Sequence, residues 1–446
     1  MEKPVGYLEL LRGNRGFRQL WLGQVVSQLG DWFDTIAVYT LVLNLTGSGR
    51  AVGLILVARF VPSFIVGPLS GVVADRFSRR TIMIVSDLLR AVVVLGFLFV
   101  RRPDQLWLVY ALTVLQLVFS TFFEPAKTAA IPSIVSGREL LAANTITSAT
   151  WSAMLTLGAA LGGLVTGWFG TDAAFVIDSL TYLVSAALVA SVGFPARPAR
   201  KKSRLTIGKA LGITDTIEGA RYVWKRPRVF ALMMVKPAWG LGGGILTLLA
   251  VFGEKIFPVG RSPATGIGVL YAARGIGTAL GPLVARRFAG ETRESMQQGI
   301  GIAFLFGGLF YMAFGGATSF VLAVICLMIA HAGGSLLWVN STVLLQRVVE
   351  DTFRGRVFAA ELALLTLTMA ASNYLTGELL DNFGFGPRVV TIGIGLLFLM
   401  PGVLWFVTRR WWDTERQDEP LEEQLEDQAR LEEQARLERE AAGIAG

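Results

Sequence analysis

The sequence VGLILVARFVPSFIVGPLSGVVA (residues 52–74), DRFSRR (75–80) and TIMIVSDLLRAVVVLGFLFV (81–100) holds two apolar blocks separated by a short basic segment. Each block can cross the hydrocarbon core of a bilayer as an α-helix, which needs about 20 residues. Basic residues between two such blocks are typical of a cytoplasmic loop. This stretch therefore predicts two transmembrane helices joined on the inner side of a membrane.

Apolar blocks of this kind recur along all 446 residues, of which 53% are hydrophobic and 17% charged. Soluble domains usually contain about a quarter charged residues, so the composition excludes a soluble multidomain protein. We predict an all-α polytopic membrane protein with twelve transmembrane helices in two six-helix bundles. The predicted spans are Phe17–Leu45, Val52–Ala74, Thr81–Val100, Leu106–Ile131, Leu140–Phe169, Ala173–Phe194, Phe230–Phe252, Thr265–Ala285, Gln298–Phe314, Phe320–Leu345, Val357–Leu380 and Val389–Val407.

The basic residues orient these spans. Of the 41 Lys and Arg residues, 26 fall in segments that are internal if the N-terminus is cytoplasmic, and six fall in external loops. This asymmetry predicts that both termini are cytoplasmic, although the pair Arg101-Arg102 lies on the opposite side. It also explains the net charge of +8 without a nucleic-acid partner. The polar residues 1–18 lead directly into the first span, so no cleavable signal peptide is expected.

The chain divides near its middle. Residues 1–195 are expected to form an N-terminal six-helix bundle and residues 228–410 a C-terminal one, with a basic cytoplasmic linker at 196–227 that contains an amphipathic segment. Residues 411–446 read as a charged cytoplasmic tail helix. GVVADR (71–76) and GPLVAR (281–286) follow the second and eighth spans as a weak internal repeat. Six-plus-six repeats with a central binding site are the architecture of secondary transporters.

GVVADRFSRR (71–80) resembles the GxxxDRxGRR signature of the major facilitator superfamily, with Ser78 in place of a glycine. NRGFRQLW (14–21), FEPA (123–126) and EGARYVWKRP (218–227) resemble the branch that contains enterobactin exporters and macrolide efflux proteins. The resemblance implies that Gly71, Asp75, Arg76 and Arg79 form a cytoplasmic gate that latches the two halves. The alternative is that Arg76, Arg79 and Arg80 only anchor topology, and this is what we expect of Arg80.

GAALGG (158–163) resembles the antiporter motif of the same superfamily, with Ala159 where proline is usual. The motif is associated with export. The alternative is ordinary packing of small residues between helices.

Ionisable residues inside the spans are the candidate machinery, because a charge in hydrocarbon is costly unless it is paired, protonated or hydrated. Asp31 and Asp34 are one helical turn apart in the first span, and Arg59 in the second span is the nearest base in sequence. We expect Asp31 to be the main proton-coupling acid, tuned by Arg59. Asp34 has a weaker case because it can reach outer water. Glu124 is a further coupling candidate, although it can instead form a structural pair with Lys127.

Other polar or aromatic residues in the spans are candidates for a substrate cavity: Gln28, Arg90, Gln116, Asn144, Trp151, Asp178, Lys236, Arg274, Asn340 and Glu361. Several have structural alternatives. Arg90 can pair with Asp87, Glu361 can be hydrated near a loop, and amides can join helices to one another. His331 is a weak candidate for a proton relay, since small residues surround it.

No cofactor or metal site is expected, because the chain has one histidine, His331, and one cysteine, Cys326. It also has no Walker-type phosphate loop and no triad on which to build an enzyme.

Our hypothesis is a monomeric secondary transporter in a bacterial inner membrane that exports an amphiphilic small molecule of drug or siderophore type in exchange for protons. Membrane lipids and the substrate are its expected partners. Two alternatives remain open from the residues: a lysophospholipid flippase, and a membrane sensor or receptor that binds a ligand without moving it.

Overall fold

A computed structural model describes residues 5–194, 221–260, 262–288 and 292–412, without the side chains of residues 64, 68, 71, 72, 75, 282–288, 351, 352 and 410. Regular structure in this part of the chain is helical throughout. A short helix, Tyr7–Gly13, precedes the long ones. Most of the predicted linker and the tail from residue 413 lie outside the described residues.

We number the membrane-length helices α1 to α12. In the N-terminal half they are α1 Arg15–Thr46, α2 Gly49–Arg76, α3 Arg79–Leu95 and α4 Leu106–Ile134. Helices α5 (137–169) and α6 (171–191) are two arms of the segment Gly137–Ser191, which changes direction at Gly170. Gly170 has φ 84°, in the left-handed region that glycine adopts without a Cβ clash.

In the C-terminal half, α7 is a broken helix with the pieces Pro227–Met233, Val235–Gly240 and Ile245–Val251 and a π-helical turn at Phe252–Ile256. It breaks at GLGGG (240–244), where glycine has low helix propensity. The remaining helices are α8 Pro263–Phe288, α9 Arg293–Gly316, α10 Phe320–Val348, α11 Asp351–Asp381 and α12 Pro387–Trp412.

The helix count agrees with the predicted architecture. Nine segments of the described chain are long and apolar enough to span a membrane. Counting α5 and α6 separately, and adding the equally long α1 and α8, is consistent with the twelve predicted spans. The observed helices begin and end within several residues of the predicted boundaries. The all-helical membrane fold is therefore confirmed.

Helix contacts join the helices into two bundles. In the first half, α1 packs on the α5–α6 segment and α4 packs on α2 and α3; in the second half, α10 packs on α8 and α9, and α12 packs on α9. The main contacts between the halves are α2 with α11 and α5 with α8. A glycine permits the close approach of α2 to α11, since a Cβ at Gly53 would lie 2.6 Å from the Asn373 carbonyl oxygen.

We call the end of the bundles opposite the first and last described residues the distal end. The Arg101-Arg102 pair, which did not fit the charge asymmetry, lies here. Arg101 donates two hydrogen bonds, of 2.9 and 2.8 Å, to the carboxylate of Asp172. Arg102 pairs with Asp104 at 3.0 Å. Both guanidinium charges are thus matched by acids of the same end.

The α5–α8 crossing allows a test of whether close helix packing holds the two halves together. A Cβ at Gly163 would lie 2.8 Å from both the Ala264 carbonyl oxygen and the Gly268 Cα. Overpacking of this kind typically costs about 1–3 kcal/mol. We therefore expect Gly163→Val to separate α5 from α8, so that a cysteine replacing the buried Ala264 in a Cys326→Ser background reacts several-fold faster with maleimide (about fivefold or more).

The control is Gly393→Val on α12, where an added Cβ meets nothing within 4 Å. Equal labelling rates in both valine variants would contradict a closing role for the α5–α8 contact.

Candidate functional site

A buried carboxylate lies half-way along α1, facing α2 and α4. The Asp34 side chain is 1% exposed and pairs with Arg59 of α2 at 3.4 Å. The Gln116 side chain of α4 donates to the same carboxylate oxygen at 3.2 Å. Arg59 also donates to the Thr35 hydroxyl at 2.7 Å. These contacts satisfy part of the charge that Asp34 brings into the membrane interior.

Asp31, one turn earlier on α1, has a different environment, with 40% of its side chain exposed. It accepts a hydrogen bond from the Tyr182 hydroxyl of α6 and lies 3.8 Å from Arg90 of α3. Arg90 donates to Asp87 on its own helix. Its guanidinium also lies 4.3 Å from the centre of the Tyr182 ring. Asp31 is therefore less buried than Asp34 and Asp87.

Asp178 of α6 adds a fourth carboxyl group and is fully buried. Its Oδ1 accepts a hydrogen bond of 3.2 Å from Thr181, and its Oδ2 has no partner among the described residues. It is close enough to Asp31, Asp34 and Arg90 for electrostatic interaction. We call the six side chains together the acid cluster: Asp31, Asp34, Asp87, Asp178, Arg59 and Arg90.

The acid cluster reverses two expectations. Arg59 pairs with Asp34 rather than with Asp31, because its position on α2 faces the part of α1 one turn further on. Asp34 is buried and Asp31 is half-buried, whereas Asp34 was the one expected to reach water. Tyr182 was missed altogether. The signal that could have found it is its spacing, one helical turn after Asp178 on the same face of α6.

Glu124 and Lys127 form the predicted pair on α4, at 2.8 Å. Lys127 is 4% exposed and Glu124 55%. Among the described residues the only ion-pair partner of Glu124 is Lys127, so its described contacts do not join it to the acid cluster. This geometry favours the structural alternative, although a coupling role for Glu124 remains a prediction.

In the C-terminal bundle, Lys236 of α7 and Glu361 of α11 form an ion pair at 2.7 Å, with side chains only 6% and 3% exposed. The Lys236 ammonium group also lies 4.9 Å from the centre of the Trp338 ring. Glu361 is thus buried rather than hydrated near a loop, because the adjacent helix supplies its partner. The pair connects α7 and α11 inside one bundle.

Arg274 lies half-way along α8 and is half-buried. No carboxylate of the described chain is within ion-pair distance of it. One turn earlier, Tyr271 is buried and faces α1 of the other bundle. Its ring centre lies 6.0 Å from that of Trp32 and 5.7 Å from that of Tyr39. Arg274 therefore lies at the interface between the bundles, opposite the part of α1 that carries Asp31.

His331 of α10 is buried next to this interface. Its Nδ1 lies 2.9 Å from the Tyr311 hydroxyl, and its Nε2 has no hydrogen-bond partner in the described part of the chain. The Trp239 ring is 6.3 Å from each of the Tyr311 and His331 ring centres. The histidine is thus part of an aromatic and polar group, not of a purely apolar contact.

The remaining cavity candidates occupy varied places. Asn340 donates to the Met296 carbonyl at 3.2 Å and joins α10 to α9, so its contact is structural. Gln28 is half-buried with an unpartnered Oε1. Asn144 and Trp151 are exposed on α5, Trp151 by 53%. Of these four residues, Gln28 is the one whose side chain has a buried oxygen without a hydrogen-bond partner in the described structure.

The predicted cytoplasmic gate is only partly visible. Arg76 is exposed at the end of α2. Arg79 donates to the Ala129 carbonyl of α4, within the N-terminal bundle. The side chain of Asp75 is not among the described ones, and Gly71 has no side chain to describe. A latch between the halves at this end thus remains a prediction.

A connection between the halves that the sequence analysis missed lies at the distal end. Asp381, at the end of α11, accepts hydrogen bonds from the Ser48 hydroxyl and from the Gly49 and Arg50 amides, the latter two at 3.2 and 3.0 Å. Arg50 also pairs with Glu378 at 2.8 Å. A carboxylate at a helix N-terminus satisfies free amides and complements the helix dipole. We call this group the distal latch.

The antiporter-like glycines serve close packing. Added Cβ atoms at Gly158 and Gly162 of α5 would lie 2.7 Å and 2.9 Å from atoms of Trp32 on α1. Gly163 meets α8, as described above. The segment therefore brings α5 into close contact with both the helix that carries Asp31 and the helix that carries Arg274.

Comparison with known families gives a match over most of the chain. A family model described as Major Facilitator Superfamily matches residues 20–360. Macrolide efflux protein A of Streptococcus pyogenes is 23% identical over 398 residues, covering 87% of this chain and 93% of that protein. Enterobactin exporter EntS of Escherichia coli is 26% identical over 368 residues, covering 78% and 82%. The branch resemblance is thereby confirmed.

Solved structures agree with the fold. The crystal structure of the nucleoside transporter NupG (D323A mutant) superposes with a TM-score of 0.68 at 12% sequence identity, covering 89% of this chain and 99% of that one. At such low identity the likeness concerns the arrangement of helices alone.

Proposed function

Because this chain belongs to the Major Facilitator Superfamily, we propose that it exports an amphiphilic small molecule in exchange for protons, by alternating access between its two bundles. It is a multi-pass membrane transporter whose relatives include exporters. The observation that carries the finer proposal is the acid cluster, in which four carboxyl groups share two guanidinium groups within the membrane-spanning region.

The charge balance of the acid cluster favours proton uptake. With every group ionised, four carboxylates and two guanidinium ions carry a net charge of −2. Unbalanced charge in the interior of a membrane protein costs several kcal/mol per group unless water or counter-ions reach it. Binding of protons removes that cost. The number of bound protons then depends on whether the cluster faces water, and this dependence is what proton coupling requires.

Asp31 is the acid through which protons exchange. It is only half-buried, whereas Asp34, Asp87 and Asp178 are buried. Tyr182 donates to it and Arg90 lies 3.8 Å away, so both contacts weaken when Asp31 takes up a proton. In this scheme Arg90, rather than Arg59, tunes Asp31. Arg59 pairs with Asp34 instead, and this contact favours the ionised form of the Asp34 carboxyl group.

The direction of opening follows from the charge asymmetry. We take the basic end, where the first and last described residues lie, as cytoplasmic and the distal end as external. The distal latch then closes the outer side of the cavity. The conformer described here is accordingly the inward-facing one, ready to take substrate from the cytoplasmic side of a bacterial inner membrane.

The test is transport by the purified full-length protein in proteoliposomes with an imposed pH gradient, read with a panel of fluorescent amphiphiles. Asp31→Asn should lower gradient-driven transport about tenfold or more. Counterflow exchange of the same dye should stay unchanged, because it needs no net proton movement. Asp172→Asn, in the exposed pair with Arg101, is the control and should transport normally. Full gradient-driven transport by Asp31→Asn would show that coupling does not use this acid.

A further inference from the structure

Besides Arg18, which lies in the first turn of the first predicted span, the predicted spans contain five cations, and four of these have an acidic partner. Arg59 pairs with Asp34, Arg90 with Asp87 and Asp31, Lys127 with Glu124 and Lys236 with Glu361. Arg274 is the exception, since no described carboxylate lies within 4 Å of its guanidinium group. It is also at the centre of its helix, too far from either end for the side chain to reach the membrane surface easily.

Neutral hydrogen-bonding groups surround Arg274. Tyr271 and Tyr311 are near enough for electrostatic interaction, and so is Tyr39 of the other bundle. His331 is also near enough to Arg274 for electrostatic interaction. The Tyr311 hydroxyl and Nδ1 of His331 form a hydrogen bond. The buried Nε2 of His331 has no hydrogen-bond partner in the described structure. Among the described residues, the surroundings therefore contain hydrogen-bonding atoms but no carboxylate within ion-pair distance to balance the guanidinium ion.

An uncompensated guanidinium ion in a membrane interior is strongly unfavourable. A ligand that brings its own negative charge removes this cost, and a compact oxyanion matches the planar fork of the guanidinium group. The position also suits a transported ligand. Arg274 lies between the bundles, near Tyr271, which contacts Trp32 and Tyr39 of α1. Trp239 adds apolar surface beside Tyr311 and His331.

We propose that Arg274, with Tyr311 and His331 beside it, binds an anionic group of the transported amphiphile. A carboxylate or another compact oxyanion meets the guanidinium group, and the apolar body of the ligand lies against the aromatic side chains Trp32 and Trp239. This proposal rests on the proposed function, because it assigns a substrate class to the same central cavity. It places the ligand anion on α8, across the interface from Asp31 and Asp34, the members of the acid cluster on α1.

The experiment compares two probes that differ in one charge. Dansylglycine carries a carboxylate, and dansylglycinamide has the same fluorescent body without it. Binding of each to the full-length protein in phosphatidylcholine nanodiscs is measured by dansyl fluorescence. We expect wild type to bind dansylglycine at least about tenfold more tightly, Arg274→Gln to lower that preference to about twofold or less, and Arg274→Lys to keep an intermediate preference.

Arg101→Gln removes an exposed distal cation and should leave the preference unchanged. Size-exclusion profiles of the variants establish that they are folded, and the Lys variant keeps the test valid if Gln does not fold. Equal binding of both probes to wild type, or no binding of either, overturns the proposal. So does displacement of dansylglycine by phosphatidylglycerol in the nanodisc, which would assign Arg274 to a lipid headgroup.

The two proposals can fail separately. If wild type binds the probes equally but moves dansylglycinamide in a pH gradient, the anion site is wrong and proton-coupled export stands. If binding prefers the anion but neither probe responds to a pH gradient, the coupling mechanism fails and the Arg274 site stands.

Discussion

Replacing Glu361 by alanine should lower the unfolding free energy of the protein by about 3–5 kcal/mol, because the substitution leaves the ammonium group of Lys236 buried without a counter-ion. Lys236 is 6% exposed and its ion-pair partner is 2.7 Å away. The nearby Trp338 ring interacts with the same ammonium group but carries no net charge to replace the carboxylate. Unfolding of the purified protein in mixed micelles, followed by tryptophan fluorescence, measures the change.

Two variants control this result. The double variant Glu361→Leu with Lys236→Met replaces the ion pair by apolar side chains of similar size and should regain most of the lost stability. Asp172→Asn breaks an exposed pair and should cost no more than about 1 kcal/mol. If Glu361→Ala were as stable as wild type, the interior around Lys236 would have to admit water, and the pair would have no structural role.

Removal of the Asp381 carboxylate should release the distal end. In Asp381→Ala the hydroxyl of Ser48 and the first amides of α2 lose a charged acceptor supplied by α11. A lost helix cap costs about 0.5–2 kcal/mol. Because this cap connects the two bundles, its loss should shift the ratio of conformers about two- to thirtyfold toward the state open at the distal end.

Spin labels at the exposed residues Arg102 and Phe383, one on each bundle, report this shift as a longer distance population. Asp381→Asn retains one oxygen acceptor and should give a smaller shift. Asp172→Ala removes a distal acid that pairs within its own bundle, so it should leave the distances unchanged. An unchanged distance distribution in Asp381→Ala would mean that helix packing alone closes the distal end.

Much of the fold followed from the sequence. The helices and their boundaries depend on apolar length, which is a local property of each segment. The family followed from short loop motifs such as residues 71–80, and the match to residues 20–360 agrees with them. Residues with functional potential were also recognisable, because any charge in an apolar block is conspicuous. Asp31, Asp34, Arg59, Arg90 and Arg274 were all candidates on that ground.

The sequence by itself determined which segments cross the membrane and which side chains carry charge there. Only the tertiary structure decided which of them meet. Lys236 and Glu361 are 125 residues apart, and Ser48 and Asp381 are 333 residues apart. Ion pairing depends on how each helix is rotated, and in a membrane helix the lipid-facing and protein-facing sides are both apolar, so hydrophobic periodicity does not reveal the rotation. Packing of neighbouring helices sets it, and that packing places Arg59 beside Asp34 and leaves Arg274 without an acidic partner in the described chain.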